Sequence, residues 1–281
     1  MSGLFLVVHY ALPRLIVDTK STQVVSYLNP ILQENQYPVR FLSQENDTIA
    51  AILCEATVPQ KGTVILLHGI RGRKEHFQEL SQILAEKGYN SLAIDLRAHG
   101  QSGGQYCTYG YYEKYDIQSA VDYLRTQGLD SNIGVWGQSL GGAIALQALA
   151  IEPRLNFGII ESTFSDLSTI VNDYSERMFG FSIPSINRYA LYRGGQLAQF
   201  RPSEVVPMHS AKNISQPILI AHGTEDKNIS FSYGQQNFDS LASSYKTFIP
   251  VEGALHHNLW SVGGSSYFDR VFNFLSSLPH K

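Results

Sequence analysis

The stretch Ile133-Gly134-Val135-Trp136-Gly137-Gln138-Ser139-Leu140-Gly141-Gly142 constrains this chain more than any other. A short apolar run of β type passes directly into the Ala/Leu-rich run 143–149, with Gly-x-Ser-x-Gly as the joint. No ordinary loop fits there. Packing a strand end against a helix start across about two residues requires small side chains on both sides of the turn, which Gly137 and Gly141 provide. Ser139 at the apex is expected in a strained conformation, its Oγ pushed outward above the start of the helix. The free N–H groups and partial positive charge of that helix end suit an oxygen that becomes anionic during reaction. Ser139 is therefore the candidate nucleophile.

With 281 residues, 43% of them hydrophobic, the chain is long enough to bury one substantial α/β core. A formal net charge of −3 gives no basic footprint for nucleic acid or an anionic membrane. Cys54 and Cys107 form no Cys-x-x-Cys and no metal-type spacing. No metal and no cofactor is expected, and a reducing, cytoplasmic setting is the simplest reading. The apolar run Leu4-Phe5-Leu6-Val7-Val8 is interrupted by His9, Pro13 and Arg14, far short of the roughly 20 residues of a spanning helix. No basic residue precedes it, as a signal peptide would require. Residues 1–37 are expected to pack on the domain as an extension, with a peripheral membrane contact as the alternative. The oligomeric state stays open.

Residues 38–55 read as a β-hairpin turning at Gln44-Glu45-Asn46-Asp47. Thr63-Val64-Ile65-Leu66-Leu67 is a continuous apolar run, as in a strand buried on both faces, and it ends in His68-Gly69-Ile70-Arg71-Gly72. A helix over 76–87, a strand over 91–95 and a helix over 116–125 precede the Ser139 joint. Strands over 157–160, 217–221 and 246–250 follow it, with a last helix over 265–277. Such alternation predicts a mostly parallel sheet with helices on both faces. In sheets of that kind the ligand site lies beyond the carboxyl ends of the strands. His68, Asp95, Ser139, Glu161, His222 and Asp226 all fall just past such ends. Residues 166–213 break the rhythm with clustered apolar residues and no clean strand, and read as a small helical cap over the pocket.

A serine hydroxyl needs a base within hydrogen-bond reach, itself oriented by a carboxylate. In the order serine, acid, histidine, the acid should follow a strand and the base should come late. Asp226, in His222-Gly223-Thr224-Glu225-Asp226, is the favoured acid, and Glu161 is its rival. His256 is the favoured base because Gly253 and Ala254 give its loop room, and the adjacent His257 is the alternative. The backbone N–H groups of Leu140 and Ile70 would form the oxyanion hole. His68 and His99 each precede a glycine in a turn and read as loop-shaping. Arg71, Arg73 and Arg97 read as solvated or bracing residues, with an acidic substrate group as the other option.

Four blocks together resemble the α/β-hydrolase superfamily. They are Leu67-His68-Gly69, the run Asp95-Leu96-Arg97-Ala98-His99-Gly100-Gln101-Ser102, the run Gly137-Gln138-Ser139-Leu140-Gly141-Gly142, and His222-Gly223-Thr224-Glu225-Asp226 with Gly253-Ala254-Leu255-His256. The resemblance runs from Pro38 to the C-terminus. It is strongest to serine aminopeptidase/monoacylglycerol-lipase-like and Bem46-like hydrolases, whose segment before the helix is similar to Tyr109-Gly110-Tyr111-Tyr112-Glu113-Lys114-Tyr115-Asp116. It implies an α/β-hydrolase fold, a Ser139–Asp226–His256 triad, the Ile70 and Leu140 amides as oxyanion hole, and a cap after the strand ending at Ile160. Leu255 stands where relatives commonly carry glycine.

The expected function is cofactor-free hydrolysis of a small or medium acyl or aryl ester through an acyl-serine, with that small molecule as the substrate and no nucleic acid as partner. A peptidase or amidase would need an acidic group for its substrate's amine, and Glu113, Glu161 and Glu225 are open for that role. A thioesterase is a further alternative. A non-catalytic ligand-binding protein on the same fold is the alternative from another class.

Overall fold

Apolar runs without alternation fold into strands covered on both faces. Every residue of β3 (Gly62–Leu67), β4 (Tyr89–Ile94), β6 (Phe157–Glu161) and β7 (Ile218–Gly223) is buried, and so is β5 (Ile133–Gln138) up to its last residue. The computed structural model describes residues 6–19 and 32–278. With β1 (Gln36–Leu42), β2 (Thr48–Cys54) and β8 (Lys246–Val251), these strands make one eight-stranded sheet of order β1-β2-β4-β3-β5-β6-β7-β8. The β1–β2 and β2–β4 pairs are antiparallel and the rest are parallel, as expected of this sequence.

The two-residue period of the strands divides the core into two layers. Ile65, Leu67 and Val135 share one apolar cluster with α3 (Glu113–Thr126) and α4 (Leu140–Leu149). Val64, Leu66 and Trp136 share the other with α2 (Gln78–Glu86) and α9 (Leu259–Ser276). β3 sits between β4 and β5, so the chain runs outward from β3 in both directions along the sheet. The loops leaving β3 and β5 therefore diverge and open a crevice at their carboxyl ends, where open α/β sheets bind ligands.

Between β6 and β7 the chain folds into α5 (Leu167–Phe179), α6 (Pro184–Ala198), a 3-10 turn at Pro202–Glu204 and α7 (Pro207–Ala211). Local chemistry sets the bounds. Asp166 caps α5 by accepting from the Thr169 amide, Gly180 ends it at φ 77°, and Pro184 opens α6 at a position where its missing N–H costs nothing. The helix α8 (Phe231–Ser240) lies between β7 and β8.

Leu4 and Phe5 of the apolar N-terminal run lie outside the described residues. From Leu6 on, a π-helical turn (Val7–Ala11) runs into α1 (Leu12–Val17). His9 Nδ1 is 2.7 Å from the Tyr189 hydroxyl on α6, the Tyr109 hydroxyl donates to Ile16 O (2.6 Å), and the Cys107 amide donates to Val17 O (2.9 Å). Cys54 and Cys107 are both buried free thiols.

Two helix starts differ from the sequence expectation. A 3-10 turn (Lys74–Phe77) replaces the first turn expected from His76, and α2 proper starts at Gln78. The last helix starts at Leu259, before the Gly263-Gly264 pair that looks like a boundary in the sequence. Gly264 instead takes up a kink within it (φ 52°, ψ −147°), so Trp260 falls in its first turn.

Candidate active site

The joint between β5 and α4 is as tight as its composition requires. A Cβ on Gly137 would sit 2.2 Å from Gly141 O, and one on Gly141 would sit 2.1 Å from Leu67 O, both far inside van der Waals contact. Ser139 is held at φ 54°, ψ −116°, a conformation that costs a non-glycine residue about 1–3 kcal/mol. Its amide donates to Glu161 O (2.8 Å), and its carbonyl accepts from Thr163 Oγ1 (2.7 Å), which fix the apex from both sides.

The loop after β8 brings His256 to this apex. Ser139 Oγ donates to His256 Nε2 at 3.0 Å, and His256 Nδ1 donates to Asp226 Oδ2 at 2.8 Å. The other carboxylate oxygen of Asp226 accepts the backbone N–H groups of Asn228 (2.8 Å) and Ile229 (2.9 Å). His222 Nε2 stands 3.5 Å from Asp226 Oδ2 and bonds Ile229 O at 2.9 Å. Burial alone would raise the Asp226 carboxyl, but His222, His256 and the Ile229 amide together hold it well below the usual carboxylate range. Asp226 is thus a fixed anion behind the imidazole.

The rival residues have other partners. The Glu161 carboxylate accepts from Gln138 Nε2 (2.8 Å), Trp260 Nε1 (2.8 Å) and the Tyr267 hydroxyl. Burial pushes its pKa up, and these three donors pull it back in part. His257 is exposed, with Nε2 3.1 Å from Asn228 Nδ2.

Leu140 is the first residue of α4, where a backbone N–H has no intrahelical acceptor. Ile70 follows β3 in a turn closed by the Gly72 amide donating to Gly69 O (2.9 Å). This turn is packed on the elbow, since a Cβ at Gly69 would lie 3.3 Å from Ser139 Cβ. Ile70, Ser139 and Leu140 line one common pocket.

His68 and His99 brace loops, as expected. His68 donates to Gly69 O (2.7 Å) and accepts the Leu96 amide (3.1 Å), and burial keeps its ring neutral. His99 Nδ1 meets Arg97 O at 2.9 Å. Arg97 pairs with Asp116 and Glu45, and Arg71 lies on the pocket wall. Glu113 accepts from Thr108 and Gly110, closing its own loop, and Glu225 is exposed.

The pocket above Ser139 is a cleft of about 1010 Å³, mouth included. Helices α5 and α6 supply much of its wall, with Leu167, Ile170, Val171 and Ala190 among the contributors. Sequence reasoning missed a second contributor, the N-terminal residues Leu12, Leu15 and Ile16. Nothing in their spacing announces it, because the contact is made across some ninety residues of chain, through Tyr109 and Cys107.

Asp226→Asn removes the charge that favours the Nδ1–H tautomer and the imidazolium, and turnover should fall about ten-thousand-fold. A carboxyl held below its unfolded value of about 3.9 contributes stability above that pH and loses it as the pH falls toward the folded value. Thermal melts between about pH 5 and pH 3 should therefore fall less steeply for Asp226→Asn than for wild type. Equal slopes would show that Asp226 is not the depressed group.

A family model described as serine aminopeptidase, S33, matches residues 58–180. That span holds the Ile70 turn, Ser139 and α5, and stops before Asp226 and His256. Protein YqkD of Bacillus subtilis is 25% identical over 226 residues, 77% of this chain and 72% of its own. The lysophosphatidylserine lipase ABHD12 of Macaca fascicularis is 25% identical over 201 residues, covering 69% of this chain and 48% of that protein. The chain thus matches about half the length of that lipase. Among solved structures, esterase Pf2001 of Pyrococcus furiosus superposes with a TM-score of 0.72 at 23% identity, over 86% of this chain and 91% of that one. Est1E of Butyrivibrio proteoclasticus, solved with ferulic acid, gives a TM-score of 0.66 at 18% identity, over 85% and 98%. These structural likenesses establish a shared fold.

Proposed function

We propose that this chain is a serine hydrolase of the α/β-hydrolase superfamily, cleaving a carboxylic ester with a small or medium apolar acyl or aryl part, a reading supported by its similarity to the S33 family model, to the lipase ABHD12 and to esterase Pf2001. The observation that carries this reading is the unbroken hydrogen-bonded line from Ser139 Oγ through His256 to Asp226, at the floor of an apolar pocket. Ser139 Oγ attacks the ester carbonyl carbon while His256 Nε2 takes its proton. The carbonyl oxygen becomes anionic between the Ile70 and Leu140 amides, each contributing about 3 kcal/mol. The alcohol departs with the proton from His256 and leaves an acyl-serine. Water, deprotonated by the same nitrogen, then releases the acid and restores the serine.

The pocket wall favours an ester over a peptide with a free amine. None of its lining residues is an aspartate or glutamate, and the three glutamates open for that role lie elsewhere. A series of p-nitrophenyl esters of increasing acyl length tests the reading beside aminoacyl anilides. Ester turnover without anilide turnover is expected. Faster anilide cleavage would overturn the ester assignment.

The same series probes the cap wall. Val171→Phe adds bulk to the pocket on a half-buried helix face. It should cut kcat/KM for octanoyl and longer esters about ten- to a hundred-fold and leave the acetyl ester within about threefold. Equal losses for all chain lengths would place the acyl group outside this pocket.

A further inference from the structure

Glu161 is a buried carboxylate, 1% exposed, that the reaction above does not use. Its place in the sheet is specific. Across the β5–β6 ladder its register partner is Gln138, the residue before Ser139, and its carbonyl accepts the Ser139 amide at 2.8 Å. Its carboxylate then reaches two other elements. It accepts from Gln138 Nε2 at 2.8 Å, from Trp260 Nε1 at 2.8 and 3.0 Å on its two oxygens, and from the Tyr267 hydroxyl.

Trp260 stands four residues after His256, where the base loop enters α9. Its indole is lodged between Trp136 on β5 and Phe268 on α9, with ring centroids 6.2 and 5.9 Å away. Within the loop, Asn258 Oδ1 accepts the Leu255 amide at 2.6 Å, which stiffens the path from Trp260 back to His256. Ser139 and His256 come from loops 117 residues apart in sequence, yet must meet within one hydrogen bond. Asp226 orients the imidazole ring but does not touch the elbow's backbone. Glu161 touches both the elbow strand, through Gln138, and the root of the base loop, through Trp260.

We propose that Glu161 is a positioning residue for the serine hydrolysis, a role that rests on the reading given above. Its carboxylate clamps Gln138 and Trp260 together, so that Ser139 Oγ and His256 Nε2 stay in register. A carboxylate suits this task because it offers only acceptor sites and here meets only donors. An amide of the same shape would turn an N–H₂ toward at least one of them.

Glu161→Gln, Trp260→Phe and the double variant test this. Initial rates with p-nitrophenyl acetate would be expressed per active site, counted by stoichiometric fluorophosphonate titration, with thermal melts alongside. Trp260→Phe keeps the ring in place and is the softer variant should Glu161→Gln fold poorly. Misalignment by a fraction of an ångström should lower kcat about ten- to a hundred-fold with KM within about twofold. The double variant should be no slower than Glu161→Gln, because both changes break the same hydrogen bond. Unchanged kcat per titrated site, with only the melting temperature lowered, would overturn the proposal and leave Glu161 a purely structural carboxylate. So would losses in kcat that multiply in the double variant. Wild type that neither titrates nor turns over would instead overturn the hydrolase reading itself, and the positioning role with it.

Discussion

Ser139→Ala should lose turnover by about a million-fold and take up no fluorophosphonate, while wild type gains a single adduct in the intact mass. The size follows from the geometry. Ser139 Oγ is the side-chain oxygen in hydrogen-bond contact with His256 Nε2, and it sits at the apex of the strained elbow. The remaining rate would come from the oxyanion amides and binding alone, about a thousand-fold over water. The fold should survive, because the elbow is held by its backbone bonds to Glu161 and Thr163 and by Gly137 and Gly141, none of which involve the hydroxyl. Ser139→Gly adds a second readout. It is equally inert, but glycine occupies φ 54° without the Cβ clash that serine and alanine suffer there. It should melt above Ser139→Ala in calorimetry. An adduct on Ser139→Ala would move the nucleophile elsewhere. Equal melting of the two variants would mean that the elbow stores no backbone strain.

Features that a few adjacent residues impose were legible in the sequence. Gly-x-Ser-x-Gly between an apolar run and an Ala/Leu run has one compact solution, and the unalternating strands left no other class than a sheet covered on both faces. The loop positions of Asp226 and His256 followed from counting strands. What was not legible depends on contacts distant in sequence. The Leu12–Ile16 wall of the pocket is set by hydrogen bonds from Tyr109 and Cys107, which no periodicity encodes. Trp260 escaped notice for a local reason. The Gly263-Gly264 pair reads as a helix boundary, whereas the backbone passes through it as a kink and continues toward the site. Asp226 and Glu161 could not be told apart as letters, because Glu161 ends one buried strand and Asp226 stands just past the end of another. Only the partners separate them, with imidazole on one and indole, phenol and amide on the other.

His256→Ala and His257→Ala should part by several orders of magnitude. The two rings are neighbours, with centroids 4.8 Å apart, yet their surroundings differ completely. His256 is bonded to Ser139 Oγ on one nitrogen and Asp226 Oδ2 on the other, so it can take a proton at Nε2 and have the resulting cation stabilised at Nδ1. Removing it leaves a neutral hydroxyl that is a poor nucleophile near pH 7, and turnover should fall about a hundred-thousand- to a million-fold. His257 lies on the outer side, its Nε2 beside Asn228, and burial with the nearby His256 lowers its pKa. His257→Ala should keep turnover within about threefold, since exposed side chains away from the reacting atoms contribute little. Second-order rates of fluorophosphonate inactivation check the difference independently of substrate binding. They should collapse for His256→Ala and stay near wild type for His257→Ala. The reverse pattern would mean that in the working enzyme the loop turns its second histidine inward. The Leu255–Asn258 bond, which fixes the loop with His256 against Ser139, would then have to break.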